Sequence, residues 1–141
     1  MRTTRWSANR RGERGQALAE FALVLPLVLL FIAGIIEMGR AWNIKEVVTD
    51  AAREGARYTV VQDPGVDSDY VKTKIMERLA LGSIETASIT IEPGADWRQT
   101  GHPMTVTVGT QFKMGLIGAL LGWAGGPSEV TISTDATMRN E

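Results

Sequence analysis

From Ala17 to Ile36 the chain runs for 20 consecutive residues in which Glu20 is the only ionisable side chain. No other stretch restricts the fold as strongly. At about 1.5 Å of rise per residue, a helix over this run is roughly 30 Å long, the thickness of a hydrocarbon core. Lipid offers no partner for backbone N–H and C=O groups, so a spanning segment must satisfy them internally, as a helix does. An acid near the bilayer centre costs on the order of 2.5–3.5 kcal/mol. Glu20 sits near one end, where the cost is lower but a partner is still needed. Pro26 lies inside the run and, lacking an N–H, should kink or loosen that turn.

Charge is distributed unevenly around the run. Residues 1–15 hold Arg2, Arg5, Arg10, Arg11 and Arg14 against Glu13, a balance of +4, whereas the whole chain carries −1, which leaves −5 downstream. An arginine-rich flank of a hydrophobic segment stays on the cytoplasmic side. No basic patch persists beyond this flank, which argues against nucleic-acid binding. The chain has no cysteine, so disulfides, thiolate metal sites and cysteine nucleophiles are excluded. A removable secretory signal is the rival interpretation of the N-terminus. Such signals have shorter apolar cores, roughly 7–15 residues, closed by small residues at the far end. Here Ile36 leads into Glu37-Met38-Gly39-Arg40 with no such pattern, and an anchor is favoured.

Beyond Arg40, residues Ile44, Val47, Val48, Ala51, Ala52 and Gly55 recur at helical spacing, with Lys45, Glu46, Thr49, Asp50, Arg53, Glu54 and Arg57 opposite. One continuous helix from about Ala17 to about Tyr58 is predicted, apolar all round at first and amphipathic later. Asp63-Pro64-Gly65 is a turn signal. Asp67 or Ser68 then caps a second helix from Asp69 to Leu81, ended by Gly82. The acids Asp63, Asp67 and Asp69 lack the remaining ligands of a calcium loop, so capping and solvation account for them and no metal is assigned. Period-two alternation marks three strands: Ile89 and Ile91; Met104, Val106, Val108, Thr110 and Phe112; and Val130, Ile132, Thr134, Ala136 and Met138. The fold class is therefore α+β: a long N-terminal helix whose amphipathic half covers a three-stranded antiparallel sheet, plus one short helix. Val106 and Ile132 are both placed on the inward face, where an aspartate should be severely destabilising.

Met114 to Gly126 is apolar but broken by glycines and too short to span a bilayer. Packing in the core, against a neighbouring subunit, or at a lipid surface through Trp123 are the three interpretations, core packing being favoured. His102 stands alone before Pro103, and there is no nucleophile elbow and no glycine-rich phosphate loop. No catalytic residue and no cofactor is assigned, and the chain is not read as an enzyme.

Several motifs carry a resemblance. Gly15, four residues, then Glu20 and Phe21 at a charged-to-apolar boundary looks like the processing site of type IV prepilins of the Tad/Flp class. Ile35 to Arg40 (I-I-E-M-G-R), Ala51 to Arg57 (A-A-R-E-G-A-R) and the closing Ala136 to Glu141 resemble the TadE family of pilin-like proteins. The resemblance implies a basic leader (residues 1–15) removed by a prepilin peptidase, a transmembrane helix (16–40) and an extracytoplasmic domain (41–141). It implies processing at Gly15, Gln16, Glu20 and Phe21, and assembly through Gln16 and Glu20. Gln16 stands where better-known pilins start with Phe. The implied partners are that peptidase, other pilin-like subunits with the Tad assembly machinery, and the lipid of a bacterial cytoplasmic membrane. The implied function is that of a minor pilin or pseudopilin, with an uncleaved scaffold of the same apparatus or a tethered binding domain as alternatives.

Overall fold

The computed structural model describes residues 10–60, 66–92 and 101–139, and the two periodicities separate there into helices and strands. The elements are α1 (Arg10–Thr59), α2 (Ser68–Leu81), β1 (Ser88–Glu92), β2 (Pro103–Lys113), α3 (Leu116–Trp123) and β3 (Glu129–Arg139). The turn predicted at Asp63-Pro64-Gly65 and most of the leader lie outside the described residues. The chain divides into two compact units, one ending at Ile36 and the other beginning at Glu37, and α1 contributes to both.

The first unit consists of the apolar part of α1. The helix continues through Pro26 and starts at Arg10, seven residues before the predicted Ala17. Arginine, glutamate and glutamine are good helix formers, so the leader sequence extends the helix rather than breaking it. Almost every side chain of the apolar run points outward; Leu23 is 80% exposed and Phe31 72%.

The second unit holds the core. Val48, Ala51, Ala52 and Ala56 of α1 are completely enclosed, with Ile44, Val47 and Tyr58 packed at their margin. Gly55 is required by close approach, because a Cβ there would meet Ile75 Cδ1 of α2 at 2.5 Å and Val106 Cγ1 of β2 at 3.2 Å. Asp67 is the N-cap of α2, its carboxylate accepting from Tyr70 N at 2.7 Å, and Gly82 is the C-cap. Val71, Ile75 and Leu79 form the buried stripe of α2, each worth about 1.5–3 kcal/mol when fully removed from water.

The sheet is an antiparallel meander in the order β1-β2-β3. Val106 is opposite Ile91 on one side and Ala136 on the other. Met104, Val106 and Val108 of the central strand are fully buried. On β3 the same alternation is present, but Ile132, Thr134, Ala136 and Met138 are only half-buried and Val130 is 46% exposed. Ile132 is thus on the inward face as expected but only half-buried, because β3 is an edge strand, paired on one side only. The other face of the sheet carries Thr90, Thr105, Thr107, Thr131, Ser133 and Thr137 together with the charged Glu92, Lys113, Glu129, Asp135 and Arg139, and the Thr105 and Thr137 hydroxyls are 2.8 Å apart. Besides α2 there is a second short helix, α3, inside the glycine-interrupted segment. Its core-packed interpretation does not hold, because only Gly118 of this helix is buried. Leu116, Leu120, Leu121 and Trp123 face out, and Ile117 is half-buried.

Candidate functional site

Gly15, Gln16, Glu20 and Phe21 lie on consecutive turns of α1, in the first unit. The four-residue spacing places Gln16 and Glu20 on one face, where Gln16 Nε2 donates to Glu20 Oε1 at 3.0 Å. Both side chains are exposed. The carboxylate is thus held by an amide of its own helix, and neither group is committed to a folded core. Gly15 has no packing reason to be glycine, since a Cβ there would meet nothing within 4 Å. Glycine in a helix interior is about 1 kcal/mol less favourable than alanine. Nothing in the fold compensates that cost, so the reason for Gly15 lies outside the packing of this chain.

A second cluster, in the second unit, was not identified from sequence. Glu37 is the first ionisable residue after the apolar run, and it is buried. Its Oε1 accepts from Gly115 N at 2.6 Å and Leu116 N at 3.1 Å, and its Oε2 accepts from Arg40 Nη1 at 3.3 Å. The N-cap of α3 is Gly115, which has no side chain to cap with; Glu37 supplies the missing acceptor from another element, where the helix dipole also favours negative charge. A Cβ on Gly115 would meet Glu37 Oε1 at 2.5 Å, so a larger residue there would push the carboxylate from this position. The Arg40 guanidinium completes the cluster, 5.4 Å from the centre of the Phe112 ring. The partners are 78 and 79 positions apart. The sequence signal available was a lone acid directly after a membrane-length run.

A broad cleft of about 800 Å³ opens between α1 and α2, lined by Asp50, Arg53, Glu54, Lys74, Glu77 and Arg78 among others. Its charges answer one another. Arg78 lies 3.7 Å from Asp50, and Lys74 lies 2.8 Å from Glu77, whose hydrogen bond and charge hold the Lys74 ammonium pKa above its ordinary value. Such exposed pairs are solvated and weak. His102 is exposed just ahead of β2. Among the described residues no three acidic or histidine side chains converge as a metal site would require. What the described residues present is an outward-facing apolar helix and a cleft lined by charges.

Residues 15–57 match the model of a protein family described as TadE-like protein. The match opens at Gly15 and takes in the apolar run, Glu37, Arg40 and the amphipathic stripe to Arg57. No curated protein and no solved structure matches the chain.

Proposed function

We propose that this chain, which belongs to the TadE-like family through residues 15–57, is a minor pilin or pseudopilin of a Tad pilus or secretion apparatus. The observation that carries this reading is the coincidence at Gly15, where the family segment begins and the basic leader meets the apolar helix. In this reading residues 1–15 are the cytoplasmic leader, 16–40 the membrane helix and 41–141 the extracytoplasmic domain. A prepilin peptidase cuts after Gly15, which removes the arginines that hold the N-terminus at the cytoplasmic face. The role is structural, and no residue is assigned to catalysis.

Cleavage creates an α-amino group on Gln16. With a pKa of about 7.7–8.0, such an amine is largely protonated at neutral pH. Glu20 of a neighbouring subunit is the carboxylate that pairs with it. A close pair gains about 4 kcal/mol at an effective dielectric near 20, before the cost of desolvation. The Gln16–Glu20 hydrogen bond within one helix is the contact that such a pair replaces. Register between helices is what the pair supplies.

Two measurements test the proposal. The mass of the membrane-extracted protein should correspond to a chain beginning at Gln16, and Gly15→Leu should leave the full-length precursor; a natural chain that keeps Met1 overturns processing. Glu20→Leu should insert as well as the wild type, because the segment becomes more apolar, yet it should fail to co-purify with pilin-like subunits. Normal incorporation of that variant would remove Glu20 from assembly. One observation favours the uncleaved scaffold instead: α1 is already helical from Arg10, so the Gly15–Gln16 bond lies within a helix and must unwind before a peptidase can reach it. The mature N-terminus decides between the two.

A further inference from the structure

We propose that α3 lies in the membrane interface, with Leu116, Leu120, Leu121 and Trp123 seated among lipid headgroups and the upper acyl chains. The inference rests on the membrane-anchor part of the proposed function and not on cleavage or pilin assembly.

The exposure of this helix is the first ground. Leu116 is 57% exposed, Leu120 47%, Leu121 39% and Trp123 91%. Four large apolar side chains on one eight-residue helix form a patch that water does not favour, and patches of this kind mark a membrane or a partner. The second ground is what the segment lacks. Between Lys113 and Glu129 there is no charged residue, so entry into a lipid surface dehydrates no ion. Its backbone is already provided for, by the helix and by Glu37 at the N-terminus.

Position is the third ground, and it selects lipid over protein. Glu37 follows Ile36, the last residue of the apolar run, by one peptide bond. Through its bonds to Gly115 N and Leu116 N, the start of α3 is fixed within one side chain's length of the point where that run ends. If the run crosses a bilayer, α3 starts at the level of its surface. At eight residues it is about 12 Å long, enough to lie along a surface and not to cross it. Trp42, on α1 five residues past Glu37 and hence roughly 8 Å further along that helix, is also exposed, with the Lys45 ammonium 5.9 Å from its ring centre. Exposed tryptophan beside a basic side chain is the usual composition of a membrane–water boundary. A protein partner would gain orientation from polar contacts, and among the outward side chains of α3 the Trp123 indole N–H is the single donor, a group that also suits the headgroup level.

The test uses the full chain in vesicles of phosphatidylcholine and phosphatidylglycerol. Trp6, Trp42 and Trp97 are replaced by Phe so that Trp123 alone reports. Its emission should move to shorter wavelength and be quenched more strongly by lipid spin-labelled near the headgroup than by lipid labelled deep in the acyl chain. A companion chain carrying Leu27→Trp and Trp123→Phe should show the opposite preference. Leu120→Asp should remove most of the shallow quenching of Trp123 while thermal unfolding stays unchanged, because Leu120 is not part of the core. If the Leu27→Trp probe is quenched and Trp123 is not, the anchor stands and the interfacial helix is overturned. If neither is quenched, the anchor itself fails and takes the inference with it. If Trp123 is shielded from water yet unquenched by lipid and cross-links to another chain, the patch belongs to a protein contact and the lipid assignment is overturned.

Discussion

Val48 and Leu23 are on the same helix, yet Val48 is completely enclosed and Leu23 is 80% exposed. The side chains are nearly alike; what differs is the arrangement around them. From Ile44 onward the apolar residues are confined to one stripe, and α2 and the sheet of the second unit supply the surface that covers it. In the apolar run there is no polar face to turn outward, so no single neighbour could enclose it. A stripe is solved by a partner of the same chain, whereas an all-round apolar surface is solved by changing the solvent. Hydrophobicity alone does not tell these cases apart, and its angular distribution does.

The sharpest way to break this comparison is to make one change in both regions. Val48→Asp should destabilise the second unit by more than about 4 kcal/mol, because it buries an unpaired charge. Leu27→Asp should leave the thermal unfolding of that unit unchanged and instead weaken membrane retention, at about 2.5–3.5 kcal/mol for a mid-helix acid. Calorimetry in detergent reads the first and alkaline extraction of membranes the second. Equal melting losses from both variants would show that the run packs in protein after all.

A smaller effect separates the strands. Ile132→Asp should cost about 1–2 kcal/mol, within the ordinary range for a half-buried site and well below the same change at Val106. If the two cost the same, β3 is covered in the working protein by something that pairs with its free edge. The smallest effect belongs to Glu37. Glu37→Ala removes a helix cap, worth about 0.5–2 kcal/mol, and should show as faster amide hydrogen exchange at Gly115 and Leu116 with little change in the core. Unchanged exchange would mean that the α3 N-terminus is held by something other than Glu37.

Much of the second unit was legible because its signals are local. The 3.6-residue stripe from Ile44 to Gly55 and the Asp67 cap gave the end of α1 and both ends of α2 to within a residue or two, and alternation gave all three strands. Alternation cannot tell an edge strand from a central one, however, since sheet order depends on pairing across the chain, and the half-burial of Ile132 was missed for that reason. The segment around α3 was not legible as core or surface, because Gly115, Gly118 and Gly122 blur its periodicity. Glu37 was missed because its partners lie 78 and 79 residues away. At the leader junction the structure puts Gln16 and Glu20 on one face of α1, a contact not identified from the sequence. Their roles in processing and assembly belong to encounters with other molecules.

The threonine and serine side chains on the outer face of the sheet have a consequence for how copies of this chain meet. Threonine keeps the β-branched shape that suits a strand, yet each hydroxyl binds water and adds little oil to the surface. Two copies that collide through this wall release little apolar surface, and they separate again. The wall is wettable, and it keeps chance encounters from hardening into aggregates.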